Sequence, residues 1–314
     1  MSILHKPVML NEVIDNLDLK KDDICIDGTL GAMGYTKELL KKVGSKGKVL
    51  ALDLDEKVIS RANNIKQEKE LDNLIIVRSN FKNIKEVVEK QFSLQQKFNA
   101  IVVDLGLSSD QLNDNDRTFS FKSEAPLDMA FSKKDGLDTK QIINSWSEKK
   151  LEEIIKKYGE ERFAKRIANK IVNSRKLKTI DSGQDLQEII AKAVPKRFWP
   201  KNINVATKTF QALRIVSNQE LDNLEKFLSQ AVELLKPQGR LAVVSFHSLE
   251  DRIVKHYFKE EAKDCICPPQ APICNCNHKA KIKLPFPKGL TPSKEEIDQN
   301  PKSRSSRLRI AQKI

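Results

Sequence analysis

Short apolar runs alternate with amphipathic segments over the first 110 residues of the chain. Four of these runs have the length of a buried strand: 24–26, 49–52, 74–77 and 100–103. Between them, apolar residues recur at helical spacing over 35–43 and 58–65. Apolar strands that alternate with helices are typical of a parallel sheet covered on both faces, so the pattern predicts an α/β fold.

The pattern changes between residues 111 and 205, where the strand-like runs disappear. Apolar residues in this stretch keep helical spacing, and they form two stripes separated by Gly159, namely Leu151, Ile154, Ile155 and Tyr158, then Phe163, Ile167 and Ile171. A shorter helix is predicted over 185–193. The segment therefore reads as an all-helical insertion.

The α/β alternation resumes after the insertion. An amphipathic helix is predicted over 221–235 and should end at Pro237, because proline lacks the N–H that continues a helix. A strand over 241–246, a helix over 249–258 and a last strand over 307–311 follow. The sequence therefore predicts a core made of residues 1–110 and 206–314, interrupted by a helical domain at 111–205.

A glycine-rich turn follows the first predicted strand, directly after Asp27. Its glycines, Gly28, Gly31 and Gly34, are three residues apart, which is not the G-x-G-x-x-G fingerprint of a dinucleotide site. An acid at the strand end would repel a pyrophosphate but not the cationic amino acid of S-adenosylmethionine. The alternative is a tight turn that binds no ligand.

Acidic residues also end two later strands. Asp53 follows the second strand, where a carboxylate can accept both hydroxyls of a ribose, and Asp55 is its close competitor. Asp104 ends the fourth strand, at the edge where open α/β sheets bind ligands. One such aspartate is usually a cap, whereas three, at the ends of the first, second and fourth strands, favour a nucleoside site. Phe81 is a candidate to lie against the adenine, with a place in the core as its alternative.

The chain is strongly basic, with 56 Lys and Arg against 43 Asp and Glu, a net charge of +13. This charge favours a polyanionic partner such as nucleic acid, although lysine-rich usage alone would also produce it. Basic side chains accompany the second stripe of the insertion, at Arg162, Lys165, Arg166, Lys170 and Arg175. Together with the basic tail at 302–309, they are candidates to bind RNA phosphates, with an ordinary solvated helix face as the alternative for the helix.

Membrane and secreted destinations do not fit the sequence. No apolar run approaches the roughly 20 residues of a membrane helix, and the N-terminus has no signal-like apolar region. A cytoplasmic location and no membrane partner are therefore expected.

Four of the five cysteines form two C-x-C pairs, Cys265 with Cys267 and Cys274 with Cys276. Four thiolates can bind zinc, but paired C-x-C is less usual than C-x₂₋₄-C in zinc sites. Reduced surface cysteines in a proline-rich loop are the alternative, and on sequence grounds no metal is assigned.

Seven motifs occur in order from one end of the chain to the other: HKPVMLNE at 5–12, DLGLSSDQL at 104–112, FSF at 119–121, PLDM at 126–129, YGEERFAKRIA at 158–168, ATKTFQALRI at 206–215 and SFHSLEDR at 245–252. A basic tail at 302–309 follows them. This ordered set resembles the bacterial RsmH (MraW) family, which methylates the exocyclic N4 of a cytosine in the decoding centre of 16S rRNA.

The resemblance implies a Rossmann-like class I methyltransferase core, the cofactor S-adenosyl-L-methionine, no metal in catalysis, and 16S rRNA in the small ribosomal subunit as partner. The helical insertion becomes the expected RNA-recognition domain, in a monomer or homodimer. Cofactor contacts are carried over to Met33, Gly34, Tyr35, Asp53, Phe81, Asp104 and Gln111.

The chain departs from the family where Met33, Gly34 and Tyr35 replace Gly-Gly-His, and where Ala130 replaces an arginine. Met33 is expected to narrow the methionine end of the pocket. Asp104 and His247 are the candidate catalytic residues, and a helix cap is the alternative for His247. A non-catalytic RNA-binding or ribosome-assembly protein, or a methyltransferase with another acceptor, would also fit.

Overall fold

A computed structural model describes residues 7–93, 95–106, 126–131, 136–268, 270–271 and 273–314. The chain divides into two compact units. The first unit contains Met1–Gly106 and Leu221–Ile314, and the second contains Leu107–Glu220. Among the residues described, no helix is both long and apolar enough to cross a membrane.

The first unit alternates helices and strands around a single sheet. In chain order its elements are α1 (Leu10–Asn16), β1 (Ile24–Asp27), α2 (Gly34–Val43), β2 (Lys48–Asp53), α3 (Glu56–Glu68), β3 (Leu74–Arg78), a 3₁₀ turn (Phe81–Asn83), α4 (Ile84–Gln91) and β4 (Phe98–Asp104). After the second unit come α10 (Glu220–Leu234), β5 (Leu235–Ser245), α11 (Ser248–Glu261), β6 (Ile282–Lys283), α12 (Lys294–Gln299) and β7 (Arg307–Lys313).

The sheet has the strand order β3-β2-β1-β4-β5-β7-β6. Strands β1 to β5 pair in parallel, whereas β7 is antiparallel to both β5 and β6. The chain winds from β1 to β3 in one direction and then returns to place β4 on the other side of β1. This reversal is the switch point of a doubly wound sheet, where ligands bind beyond the carboxyl ends of the strands. The predicted Rossmann-like α/β core is therefore confirmed.

Alternation along each strand divides the apolar core between the two faces of the sheet. Cys25 and Val49 belong to one buried cluster with residues of α1, α2 and α3. Their neighbours Ile26 and Leu50 belong to the other, with residues of α4, α10 and α11. Successive side chains of a strand point to opposite faces, so strands that are apolar throughout require helices on both sides.

The fifth strand differs from the prediction. Pro237 was expected to lie between a helix and a strand that begins at 241, but β5 starts directly after α10 and includes Pro237. The register between β4 and β5 shifts between Phe98 and Ala100, so the segment around Pro237 is bulged. A proline is tolerated there because the ladder is interrupted.

The second unit is helical in the part of it that the structure describes. Its helices are α5 (Thr139–Ser145), α6 (Glu148–Gly159), α7 (Ala164–Arg175), α8 (Gly183–Ala193) and α9 (Thr207–Asn218). The sequence placed the second boundary at 205, whereas α9 belongs to this unit. The reason is packing, because Phe210 and Leu213 of α9 share a buried cluster with Ile155 and Ile167 of α6 and α7.

Candidate active site

The glycine-rich turn is held between two strands at the switch point of the sheet. The backbone N–H of Gly28 donates to the Val102 carbonyl, and that of Leu30 donates to the Leu52 carbonyl, both at 2.8 Å. Gly31 adopts a positive φ of 48°, and a Cβ on Gly34 would lie 2.0 Å from Cγ of Pro7. The turn therefore places the start of α2 beside the strand ends, and only a glycine fits at position 34 because Pro7 lies against it. The first N–H groups of a helix lack intrahelical acceptors and carry partial positive charge.

Asp27 is fully buried at the end of β1. The Thr36 hydroxyl donates to its Oδ2 at 2.6 Å, and the Thr29 backbone N–H donates to its Oδ1 at 3.1 Å. Burial raises the pKa of this carboxyl to about 7. Asp27 therefore ties the turn to α2. The sequence did not identify Thr36, a buried polar residue in the first turn of α2.

Asp53 and Asp55 have different roles. The Asp55 carboxylate is buried, caps α3 and accepts the Lys57 N–H at 2.9 Å. Asp53 is partly exposed, and its two oxygens accept the N–H groups of Gly31 at 3.0 Å and Asp55 at 2.9 Å. Desolvation by the surrounding protein raises the pKa of the Asp53 carboxyl. Because each carboxylate oxygen has two acceptor positions, Asp53 can still accept a pair of hydroxyls.

Asp104 lies at the end of β4, beside β1. Its backbone N–H donates to the Thr29 hydroxyl at 2.7 Å, and its Oδ1 accepts the Gly106 N–H at 3.4 Å. The side chain keeps some contact with solvent, yet desolvation raises its pKa to about 7, with smaller contributions from the charges of Asp27 and Glu250. Thr29, which the sequence did not identify, therefore joins the turn to the strand that carries Asp104.

The side chains of the other predicted cofactor contacts are less accessible to a ligand than those of Asp53 and Asp104. The Met33 side chain is 1% exposed and belongs to the core cluster around α2, so it fills the core and does not narrow an open pocket. The buried Tyr35 hydroxyl donates to the Val8 carbonyl, so Tyr35 can reach a ligand only through its backbone. Phe81 is partly exposed and packs edge to face on Phe227, with ring centroids 5.3 Å apart. Gln111 lies outside the described residues.

His247 is the N-cap of α11. Its Nδ1 accepts the Glu250 N–H at 3.3 Å, and Glu250 Oε2 accepts the N–H groups of His247 at 3.3 Å and Phe246 at 2.8 Å. This is a capping box, in which two otherwise unpaired N–H groups are satisfied reciprocally. The helix cap, which was the alternative for His247, is therefore what the structure shows. A catalytic role for His247 stays a prediction. The three-residue spacing to Glu250 was the sequence signal for the cap.

The basic residues of α7 and the loop before it do not share one role. Arg162, Lys165, Arg166 and Lys170 are exposed. Arg175 instead donates from Nη1 to the Ile143 carbonyl at 2.6 Å and from Nη2 to the Trp146 carbonyl at 2.7 Å, at the end of α5. The Arg175 side chain thus caps the carboxyl end of α5 and is not a free cation.

Exposed aromatic side chains accompany these arginines in the second unit. Phe198 and Trp199 are 38% and 39% exposed. The Phe198 ring lies 4.8 Å from the Arg162 guanidinium and 4.9 Å from that of Arg197. Base-stacking proteins combine aromatic rings with arginine planes in this way. The sequence reasoning passed over this group, although its signal was the basic-aromatic run at 196–201.

The two C-x-C pairs meet in space. The sulfur atoms of Cys265, Cys267, Cys274 and Cys276 all lie within 4.8 Å of one another. The sequence left open whether these thiols bind zinc or are reduced surface cysteines, and one ion requires that all four converge.

The sequence is similar to known proteins over almost its whole length. The chain matches the MraW methylase family over residues 2–314. Two proteins called ribosomal RNA small subunit methyltransferase H, from Heliobacterium mobile and Finegoldia magna, are 43% and 41% identical over 100% of both chains. An rRNA methylase structure from Streptococcus thermophilus covers 98% of this chain and 95% of its own at 10% identity and a TM-score of 0.43, a likeness too weak to bear on the fold. The chain belongs to the MraW methylase family.

Proposed function

We propose that this protein uses S-adenosyl-L-methionine to methylate N4 of a cytosine in the decoding centre of 16S rRNA. The observation that carries the proposal is the group of carboxylates Asp27, Asp53 and Asp104 beside the first turn of α2, at the switch point of the sheet. Relatives with a small-subunit rRNA methyltransferase name over their whole length support the acceptor.

The residues present fit the charges of S-adenosylmethionine. Asp53 keeps acceptor positions for the ribose hydroxyls, and Asp104 offers a partly exposed carboxylate to a cationic group. The backbone N–H groups at Gly34 and Tyr35 suit the carboxylate of the methionine part. Phe81 lies next to Gly28, since its Cβ would be 3.6 Å from a Cβ built there, and is placed to border the adenine. Gln111 and the backbone of Met33 complete the proposed set.

When bound, the cofactor supplies a methyl group on a positively charged sulfur. The main task of the protein is to align the cytosine amino nitrogen with that methyl for in-line displacement. The amino lone pair is delocalised into the ring, so a carboxylate that accepts one amino hydrogen makes the nitrogen a better nucleophile. Asp104 suits this role because its carboxylate remains accessible, whereas Nδ1 of His247 is already engaged in the cap of α11.

The second unit offers a surface for RNA. Arg162, Lys165, Arg166 and Lys170 present unburied charge to phosphates, and Phe198 presents an exposed ring to a base. Positive charge fixes affinity and register on RNA, while aromatic stacking selects unpaired nucleotides. A loop nucleotide is the kind of target that such a surface accommodates.

Calorimetry with S-adenosylmethionine tests the cofactor assignment. Asp53→Asn should weaken binding roughly 10- to 100-fold, because hydrogen bonds to a charged acceptor are worth about 1.5–3 kcal/mol. Asp55→Asn is the matched control, since asparagine also caps helices well and should leave affinity unchanged. If the native protein binds no cofactor at millimolar concentration, the rival function of a non-catalytic RNA-binding protein is favoured instead.

The acceptor is tested in cells. We expect N4-methylation of a decoding-centre cytosine, measured by mass spectrometry of small-subunit rRNA, to disappear when the gene is deleted. The native gene should restore it, and a gene carrying Asp53→Asn should restore it poorly. Unchanged methylation after deletion would contradict the proposed substrate while leaving cofactor binding intact.

A further inference from the structure

The segment that connects α11 to β6 contains four of the five cysteines and no helix or strand among its described residues. A backbone hydrogen bond joins its two ends, in which the Lys281 N–H donates to the Glu261 carbonyl at 2.8 Å. Apolar side chains do not collapse inside it, since Ile266 and Ile273 are 49% and 72% exposed. Inside the segment the four thiols approach one another, and the Ala280 N–H donates to Asp264 Oδ1 at 3.4 Å.

The sulfur spacing matches a single tetrahedral ion. The Cys265 sulfur lies 3.4 Å from that of Cys274 and 3.7 Å from that of Cys276, and Cys274 and Cys276 are 3.6 Å apart. Four thiolates at about 2.3 Å from a zinc ion have sulfurs about 3.8 Å apart. In an iron–sulfur cluster the four thiolates are distributed over two or more irons, so sulfurs on different irons lie farther apart than the sulfurs of this group.

Backbone groups around the sulfurs are arranged as they are around bound thiolates. The Cys267 N–H donates to Cys265 Sγ at 3.4 Å, and the Ile266 N–H donates to Cys276 Sγ at 3.5 Å. Such outer hydrogen bonds orient ligand atoms toward an ion. His278 is not among the ligand atoms that lie within 4.8 Å of one another, and its Nε2 lies 3.2 Å from the Glu260 carbonyl oxygen.

We propose that Cys265, Cys267, Cys274 and Cys276 bind one Zn²⁺ in a structural site. Four protein ligands fill the tetrahedral coordination, so no position is left for water or substrate and the ion takes no part in methyl transfer. Its role is to fold a segment that lacks an apolar core. Through Lys281, that segment leads directly into β6, the two-residue edge strand of the sheet.

Elemental analysis of the full-length protein tests the proposal. The protein is produced in zinc-supplemented medium and purified under reducing conditions without chelators. We expect about one zinc per chain, as for a closed four-cysteine site, and a large loss of zinc in Cys274→Ser. Cys25→Ala is the matched control, because Cys25 is buried in β1 and should leave the zinc content unchanged.

Cobalt substitution keeps the test independent of folding defects in the variants. Native protein exchanged with Co²⁺ should show the intense visible absorption of a tetrahedral tetrathiolate site, and Zn²⁺ should abolish it. Removal of zinc should also expose residues 262–281 to protease. Native protein that contains no more zinc than Cys274→Ser, or that contains iron in its place, would overturn the proposal.

Discussion

Asp27 keeps a carboxylate in the protein interior, where the Thr36 hydroxyl and the Thr29 N–H donate to it. Its pKa is raised to about 7 by burial, with a smaller contribution from the charge of Asp53. The pKa of an aspartate in the unfolded chain is about 4. From there up to pH 7, Asp27 keeps its proton in the folded protein but releases it in the unfolded chain. This carboxyl therefore makes the folded state less stable as pH rises through that interval.

Asp27→Asn should remove this pH dependence. Asparagine retains an oxygen acceptor, and the Thr36 hydroxyl can turn to accept from its amide. Calorimetry gives the melting temperature of the variant minus that of the native protein at each pH. This difference should be roughly 5 °C larger at pH 7.5 than at pH 5. Asp104 is present in both proteins, and because its pKa is raised mainly by desolvation, most of its contribution cancels in the difference. A difference in melting temperature that does not change with pH would contradict the prediction.

Asp104 should make cofactor binding pH-dependent in the opposite sense. Its raised pKa of about 7 means that the charged form becomes dominant only above neutrality. A cationic ligand prefers that form, so affinity for S-adenosylmethionine should increase several-fold from pH 6 to pH 8. Asp104→Asn should bind more weakly and show a flatter profile in calorimetry. Equal pH profiles for the two proteins would remove Asp104 from the cofactor site.

At the residue level, the sequence indicated the carboxylates but not what holds them. Asp53 and Asp104 were predictable because each ends a recognisable strand. Thr29 and Thr36 were not, since their partners lie on other elements and the spacing along the chain does not reveal them. Met33 was expected to narrow the pocket, but its side chain is buried in the core by packing against other elements, which the spacing along the chain does not reveal.

Among the elements, α11 owes its start to the reciprocal bonds of His247 and Glu250. His247→Ala should destabilise the protein by about 1 kcal/mol through loss of the cap, whereas His247→Asn should be nearly neutral. Chemical unfolding measures this difference. Methyl transfer by His247→Asn at the native rate would restrict the histidine to its structural role, while a slow but fully stable variant would support the catalytic prediction.

Element boundaries were predictable where one local cause decides them. The start of α2 after the glycine turn and the end of α6 at Gly159 are of this kind. The course of β5 through Pro237 and the assignment of α9 to the helical unit were not, because both depend on long-range pairing or packing. Periodicity shows that a segment is amphipathic, but not which core receives its apolar face.

The net charge of the whole molecule, +13, leaves open where RNA binds. The triple variant Arg162→Ala, Lys165→Ala and Arg166→Ala should weaken RNA binding and lower the slope of log affinity against log salt by about 2, at roughly 0.7 per lost phosphate contact. An equally charged control replaces the exposed Lys20, Lys21 and Lys46 of the first unit by alanine. Fluorescence anisotropy over a salt series measures both slopes. Equal losses in the two variants would show that only total charge matters.

The two-segment construction of the first unit also governs how the protein can fold. Strands β4 and β5 are neighbours in the sheet, yet the helical unit separates them along the chain. Strands β1 to β4 can associate as soon as the first segment exists, whereas pairing with β5 must wait until the intervening residues have been synthesised. Closing so long a loop costs little extra free energy, but contacts between distant residues form slowly. During synthesis, one edge of β4 therefore remains unpaired for the longest time, and this is where the unfinished chain is most open to wrong partners.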